Sequence, residues 1–245
     1  MGGRNADSPW LRRSEGGAMG RLFTDEELEE MSTRTIDKAK KAIDEGDAER
    51  AKELVDLMYS QFAHLHDGYM TWVSGLQSYL YKHYGLEVLE EAEREAHEIE
   101  SRLVFKPRNE PTVRDVVKGL ANGLHGHVFQ PMTIVETDDE IIMTVNPCGS
   151  GGRLMDMGGY DPEIGLAKIK EPCRITFGLE DFPIYCIHCP VMEAQSMERT
   201  GNLSFVRNFK DGKICSCCEY HFYKDSADIP EHYYTEIGKE KPAAE

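Results

Sequence analysis

Five of the seven cysteines lie close together in the C-terminal third of the sequence, in two groups. The first group is Cys186 and Cys189, and the second is Cys215, Cys217 and Cys218. Two groups of closely spaced thiols with a longer stretch between them are typical of a site in which both groups hold one metal ion. Because such a site ties distant segments together, it constrains the fold of this part of the chain more than any other feature.

The two cysteine groups supply enough ligands for a closed tetrahedral site. We predict that the ion is held by Cys186, Cys189, Cys215 and Cys217. Zinc is the first cofactor expected, and an iron–sulfur cluster on the same thiols is the second. Two alternatives stay open: a redox dithiol without metal, and buried thiols that only fill space.

The strand expected after the Asp211-Gly212 turn decides which clustered side chains point the same way. Side chains alternate between the two faces of a strand. We therefore expect one face to carry Cys215, Cys217, Glu219 and His221, with Cys218 on the other face. His221 in place of one thiol would leave zinc an open position for water, and Glu219 or a histidine would then handle protons.

A second candidate segment, Pro147 to Arg153, follows directly after a predicted strand. Consecutive glycines can turn several backbone N–H groups toward one point, which makes an anion-binding nest. The residues predicted to bind an anionic substrate there are Gly149, Ser150, Gly151, Gly152 and Arg153. Cys148 at the edge of such a nest would lose its proton easily and act as a nucleophile or as a metal ligand. The alternative is a turn in which the glycines only allow the chain to bend.

Histidines supply the remaining candidates. His125 and His127 would share one face of an extended segment, at a spacing that suits acid–base chemistry, and the alternative is a pair of surface residues. Within the long helix described next, His64 and Asp67 lie on a line of polar residues. That line faces either solvent or a substrate cavity, and we assign these two residues to substrate binding in the second case.

Over residues 24–104 the spacing of apolar residues predicts helices. A capping box at Thr24 begins the first helix and Gly46 ends it. A longer helix runs from about Ala48 to Gly85, and a third helix follows. The apolar residues of the long helix recur at steps of three and four, and they are Leu54, Met58, Phe62, Leu65, Tyr69, Trp72, Leu76 and Leu80.

After residue 112 the pattern changes to short elements, and the first of them is a helix capped by Thr112 and Asp115. Two β-hairpins are expected over residues 132–146 and 203–223. Between them lie a glycine-rich loop over 149–165, a strand over 174–177 and a helix over 189–200. The sequence therefore predicts an α+β fold, in which a helical N-terminal half packs on a small mixed domain with β-hairpins and the cysteine-rich metal site.

These patterns divide the chain into four parts. They are a disordered extension over 1–20, a helical region over 21–106, the cysteine-rich α+β domain over 112–225, and a C-terminal tail over 226–245. Either Met1 or Met19 is the native start, because the purine-rich codons of the residues before Met19 resemble a ribosome-binding site.

Composition limits the partners. A net charge of −16 argues against a nucleic-acid binder, which needs clustered Lys and Arg. No apolar run reaches the roughly 18 residues that span a bilayer, so no membrane partner is expected. The first twenty residues lack the apolar core of a secretory signal, so we expect a cytoplasmic protein. The expected partner is a small anionic molecule, and a homodimer is an option.

Three features resemble a known group of proteins. They are a thiol at the start of the helix from Cys186 to Thr200, the segment Asp211-Gly212-Lys213-Ile214-Cys215, and the pattern of residues 64–89. The chain resembles the L-2-amino-thiazoline-4-carboxylate hydrolase-like group and the related 4-vinyl reductase type domains in these features. The resemblance implies hydrolysis of a small heterocycle. Residues 147–153 and 215–218 depart from the pattern of that group.

The function expected from the sequence is that of a metalloenzyme of the C–N hydrolase or lyase class, which acts on a small anionic molecule. One alternative is a redox or electron-transfer protein, in which an iron–sulfur cluster or a dithiol is the active group. Another is a non-enzymatic domain stabilised by zinc, which senses a ligand or binds a partner.

Overall fold

The computed structural model describes residues 22–104, 111–126, 132–212, 214–215 and 217–243. The chain divides into two compact units, an N-terminal unit (Met1–Ala63) and a C-terminal unit (His64–Glu245), and each is described by itself. The helices in chain order are α1 (Asp25–Ser32), α2 (Thr35–Asp44), α3 (Ala48–Leu103), α4 (Val113–Leu124), α5 (Gly151–Asp156), α6 (His188–Thr200) and α7 (Glu231–Glu236). Among the described residues, no helix is both long enough and apolar enough to cross a membrane.

The N-terminal unit contains α1, α2 and the beginning of α3. The predicted capping box is confirmed, because the Thr24 side chain accepts from the Glu27 backbone and the Glu27 side chain accepts from the Thr24 backbone. The sequence predicted one helix as far as Gly46, whereas the structure has two, since Thr33 and Arg34 are extended. A small core holds the helices together, and its buried residues are Ala39, Ala42, Ala51 and Leu54.

The long helix α3 has one interruption. Gly85 adopts a φ of 83° and a ψ of −175°, a backbone conformation that side chains with a Cβ rarely take, and the chain changes direction there. This confirms the predicted helix end at Gly85 and the predicted restart beyond it. Gly68 and Gly75 lie inside the regular helix, also as predicted.

In the C-terminal unit, α3 buries its polar face and exposes its apolar one. Ser74 is fully buried and donates to the Met70 carbonyl at 2.7 Å. Gln77 is buried and donates to Glu93 at 2.8 Å, and the Ser78 hydroxyl accepts from the Ala167 backbone at 2.9 Å. Ser74 continues the polar line of His64 and Asp67 along α3, and at Ser74 the alternative of a solvated face is wrong.

The strands are β1 (Thr133–Glu136), β2 (Glu140–Val145), β3 (Lys168–Ile169), β4 (Phe182–Pro183), β5 (Val206–Phe209) and β6 (Cys218–Tyr223). Four of them form an antiparallel sheet in the order β1-β2-β6-β5, and β3 pairs with β4. Both predicted hairpins are confirmed as pairings. The second is shorter than expected, because a 3-10 turn (Lys210–Gly212) precedes β6 and Cys215 has a φ of 60°.

Three local predictions in this unit need correction. Residues 149–165 contain the short helix α5 rather than only loop, and residues 174–177 form a 3-10 turn rather than a strand. The predicted C-terminal tail belongs to the folded unit at least as far as Ile237, since Tyr234 and Ile237 are fully buried in the main core. The predicted capping box of α4 is confirmed, with Thr112 and Asp115 as its two members.

Two hydrophobic cores bracket the site described next. The main core joins α6 with β4 and α7, and it includes Phe182, Ile187, Val191 and Tyr234. The second core lies where α4 covers one face of the four-stranded sheet, and it contains Met143 and Phe222, among others. Buried cysteines belong to both cores, so the thiols lie where the two cores meet.

Candidate functional site

A small cavity in the C-terminal unit is lined by five cysteines. They are Cys148, Cys186, Cys189, Cys215 and Cys218. The other walls are mainly aromatic, with the polar side chains of Ser150, His188 and Arg207 among them. The cavity has a volume of about 30 Å³, which is room for one or two water molecules or a single ion but not for an organic substrate.

Three chain segments bring the thiols to this cavity. Cys148 follows β2, Cys186 and Cys189 lie in a 3-10 turn and the first turn of α6, and Cys218 is the first residue of β6. Cys218 pairs with Val145 near the end of β2, which brings it close to Cys148. The sheet register and the start of α6 therefore determine which sulfurs meet.

Gly151 allows the segment after Cys148 to pack against the second thiol group. A Cβ atom placed on Gly151 would lie 2.2 Å from the Cys186 Sγ and 3.8 Å from the Cys215 Cβ. Any other residue would push the sulfur out of its position. The predicted glycine nest is therefore buried against the thiols and does not open to solvent.

Four of the cavity thiols form two hydrogen-bonded pairs. Cys218 donates to Cys148, which lowers the pKa of Cys148 well below its usual value and raises the pKa of Cys218 well above it. Cys186 donates to Cys215, which together with burial raises the pKa of Cys186 well above its usual value. Burial is the main cause that raises the pKa of Cys215 to about 11. Each pair thus contains one thiol that is easier to deprotonate than its partner.

Cys148 is the thiol most disposed to become a thiolate. Besides the Cys218 hydrogen bond, the backbone N–H groups of Ser150 and Gly152 and the charge of Arg207 lower its pKa, against the opposing effect of burial. The nest predicted for an external anion therefore surrounds the sulfur of Cys148 itself. A thiolate is the form of cysteine that binds metals and acts as a nucleophile.

A buried ion pair lies beside the thiols. The Arg207 side chain is only 3% exposed, and its Nη2 is 3.5 Å from Glu193 Oε1. The guanidinium also lies 4.6 Å from the centre of the Tyr220 ring, a favourable cation–π contact. Burial raises the pKa of Glu193 to about 7, although Arg207 opposes this shift. Arg207 thus places a positive charge next to the cavity.

His188 presents one ring nitrogen to Cys189. Its Nδ1 lies 2.7 Å from the Tyr185 carbonyl, which can only accept, so Nδ1 carries the proton. Its Nε2 is then an acceptor and lies 3.4 Å from the Cys189 sulfur. Burial lowers the pKa of His188, which favours the neutral ring, and burial raises the pKa of Cys189 to about 12. Metal-binding histidines are commonly oriented by the same kind of bond to a carbonyl.

The cavity lining contains Cys218, whereas the sequence predicted Cys217 as a ligand. Cys217 is buried but does not line the cavity. β6 begins at Cys218, and Cys218 lies with Tyr220 and Phe222 on the inner face, opposite to Glu219 and His221 as the alternation predicted. Cys215 reaches the cavity from a turn and not from the strand.

Glu219 and His221 share one face of β6, as predicted, but this face points away from the cavity. His221 Nδ1 lies 2.8 Å from Glu140 Oε2. Glu219 accepts from the Thr144 hydroxyl at 3.3 Å and lies 3.6 Å from the ammonium of Lys210. Neither side chain lines the thiol cavity.

The other predicted site residues are not assembled around an open pocket. His64 is exposed on α3, and His125 is exposed at the end of α4. His127 lies outside the described residues. Arg153 donates to both carboxylate oxygens of Asp67, at 2.6 and 2.7 Å, so these two predicted anion and substrate binders bind each other.

We expect Asp67→Asn to lower the free energy of unfolding by about 1–3 kcal/mol at neutral pH, because a charge-assisted bidentate pair is lost. The hydrogen bonds from Arg153 lower the pKa of Asp67. A lowered carboxyl pKa adds stability above the unfolded-state pKa, and this stability is lost as the pH falls through the folded-state value. Urea unfolding should therefore show a difference that shrinks below about pH 4. The exposed Asp56→Asn on the same helix is the control and should change little; an equal loss there would contradict the pairing.

Within the part of the chain that the structure describes, no three His, Cys, Asp or Glu side chains already form a set that could hold a metal ion. The cavity thiols contact each other in pairs, Cys148 with Cys218 and Cys186 with Cys215. Comparison of the chain with protein-family models, curated proteins and solved structures found no match. The resemblance to the hydrolase-like group therefore stays a prediction, and the site is interpreted from its own chemistry.

Proposed function

We propose that the protein binds a soft metal ion, with zinc as the first choice, in the cavity between its cysteines. An iron–sulfur cluster, the second choice from the sequence, is larger than a single ion and would need this cavity to widen. The observation that carries this proposal is the lining of one ion-sized cavity by five cysteines from three separate segments. Cysteine thiolates select zinc and iron–sulfur centres over hard cations. Under this proposal the ligands are drawn from Cys148, Cys186, Cys215 and Cys218, with Cys189 and His188 beside them.

The pairing of the thiols is compatible with this ligand set. Two sulfurs on one tetrahedral zinc are about 3.8 Å apart, because each Zn–S bond is about 2.3 Å long. A thiol–thiol hydrogen bond spans a similar distance, so the contact within each pair, Cys148 with Cys218 and Cys186 with Cys215, is compatible with two ligands on one zinc. Binding would then require the side chains of the two pairs to turn toward a common centre.

The charge of Arg207 favours deprotonated thiols in a cavity where burial disfavours them. A zinc ion with four thiolates carries a net negative charge, which is costly inside a protein unless a cation is near. Arg207 supplies that cation, since it contributes to the electrostatics of Cys148, Cys189 and Cys218. Cys148, with its lowered pKa, would be the first thiol to bind.

A site of this size suits a metal that stabilises the C-terminal unit better than a metal that holds a substrate. The cavity has no room for a heterocycle beside an ion, and Arg153 is engaged by Asp67. The hydrolase or lyase activity implied by the resemblance thus stays a prediction that the cavity does not favour.

Protein prepared without oxygen should contain about one zinc per chain, or iron with acid-labile sulfide, by elemental analysis. The double variant Cys186→Ser/Cys215→Ser removes one thiol pair and should lose the metal. Cys173→Ser is the matched control, because Cys173 does not line the cavity and serine can still accept a hydrogen bond at the start of the 3-10 turn. Metal-free wild-type protein with seven free thiols would contradict the proposal.

A second candidate function is a dithiol redox centre, favoured by the contact between Cys148 and Cys218 and their opposite pKa shifts. The Cys148 thiolate would attack a disulfide such as oxidised glutathione and release one glutathione thiolate, and the Cys218 thiolate would then attack the Cys148 sulfur of the mixed disulfide and release the second. The two thiols lose two protons and two electrons, and the added disulfide is reduced. Metal-free protein treated with oxidised glutathione should lose two free thiols, and Cys218→Ser should instead keep glutathione on Cys148.

A further inference from the structure

A row of apolar side chains on α3 remains uncovered in the C-terminal unit. The row, called the α3 stripe below, consists of Leu65, Tyr69, Trp72, Leu76 and Tyr79. Each of these residues is between 52% and 62% exposed. Their spacing alternates between four and three residues, which is the spacing of the contact positions in a coiled coil. Exposed apolar rows of this kind mark interaction surfaces.

The helix cannot bury the α3 stripe by turning about its own axis. Its opposite face is held by the hydrogen bond that Gln77 donates to Glu93, by the one that Ser78 accepts from the Ala167 backbone, and by the Asp67–Arg153 ion pair. Rotation would break these bonds and bury their polar groups without partners. The α3 stripe therefore needs a cover from elsewhere.

Two glycines border the α3 stripe on one side. Gly68 and Gly75 lie seven residues apart, and a Cβ atom added to either would meet nothing within 4 Å. Glycine weakens a helix relative to alanine, and nothing in the packing of the described residues requires it at these positions. Small residues at such positions let a second helix approach closely.

The α3 stripe and its borders carry almost no charge. Between residues 65 and 80, Asp67 is the only Asp, Glu, Lys or Arg, and it lies on the opposite face with Arg153. In a chain with a net charge of −16, such a surface is one that two copies can share without repulsion between like charges. It also offers no charge with which to select an acidic or basic partner.

We propose that the α3 stripe is the interface of a homodimer, in which the α3 helices of two copies pack against each other. Five half-exposed side chains of this size offer roughly 100 Å² each, so two copies would bury roughly 1,000 Å² from the α3 stripe alone. That area reaches the lower range of specific interfaces. The proposal does not depend on a metal in the thiol cavity.

Sedimentation velocity of the full chain should give a dimer at micromolar concentrations. Trp72→Glu/Leu76→Glu places two charges in the interface and should raise the dissociation constant by about 100-fold or more. Ile164→Glu is the control, because Ile164 is equally exposed but lies outside α3. This control should stay dimeric, and all three proteins should keep the same helix content by circular dichroism and the same metal content.

The glycines give a second test that does not add charge. Gly68→Ala/Gly75→Ala should raise the thermal stability of the monomer, because alanine favours the helix, and should weaken dimerisation by about tenfold or more. If the α3 stripe is exposed but forms no interface, the two substitutions should raise the thermal stability without weakening dimerisation. A monomeric wild-type protein, a dimer that survives Trp72→Glu/Leu76→Glu, or a monomer that binds lipid vesicles through the α3 stripe would each overturn the proposal.

Discussion

Replacing Cys218 by serine should lower the zinc affinity of the protein by about 100-fold or more, because a thiolate ligand is lost and a hydroxyl replaces it poorly. Cys218 lines the cavity and donates to Cys148. Replacing Cys217 should leave the affinity within about a factor of three, since Cys217 is buried outside the cavity. Competition with a chromophoric chelator, without oxygen, measures both affinities.

These two variants control for each other. The residues are adjacent and both are buried, so the same chemical change is made twice in similar surroundings. Urea unfolding of the metal-free proteins separates any loss of stability from the loss of a ligand. Should Cys217→Ser abolish zinc binding and Cys218→Ser retain it, the ligand set read from the sequence would be right and the cavity would not be the site.

Local signals in the sequence predicted most of the helix and hairpin boundaries. The capping boxes at Thr24 and Thr112 and the break at Gly85 each depend on residues within a few positions of one another. Such signals act before tertiary contacts form, so a single sequence contains them. The end of α1 at Ser32 was not predicted, because neither Thr33 nor Arg34 is a residue that usually ends a helix.

The sequence predicted the cysteines that line the cavity less well than it predicted these helix boundaries. The sequence predicted that the two cysteine groups converge, and Cys186, Cys189 and Cys215 do line one cavity. It predicted correctly that Cys218 lies on the face opposite to Glu219 and His221, but it assigned the ligands to the wrong face, because alternation alone does not say which face is buried. Arg207 gave no signal at all, because an arginine in a short strand is far more often exposed than buried.

The periodicity of α3 identifies its apolar face correctly but does not show what that face contacts. The apolar spacing from Leu65 to Leu76 was recognised, but spacing states only that one face is apolar. Whether this face meets the chain's own core or a second molecule depends on what the opposite face can bond to. Here Ser74 and Gln77 find buried partners, and the polar face is therefore the one that packs.

Arg207→Met should lower the free energy of unfolding by about 3–5 kcal/mol, because it leaves Glu193 buried without its cation. The sign of the pH dependence follows from Glu193. Its pKa is raised to about 7 in the folded protein, so the folded state favours the protonated carboxyl, and stability falls as the pH rises toward that value. Without Arg207 the pKa rises further, so the loss relative to wild type should be larger at about pH 8 than at about pH 5.

Urea unfolding of metal-free protein at both pH values measures this difference. Arg174→Met is the matched control, since Arg174 pairs with Glu90 in an exposed position and should cost about 1 kcal/mol or less. Adding Glu193→Gln to Arg207→Met should recover part of the loss and flatten its pH dependence, because a neutral amide no longer has to be buried as an anion. A loss that is independent of pH and is not relieved by Glu193→Gln would mean that Arg207 stabilises the protein through packing alone, and the buried charge would then have no part in favouring thiolates beside it.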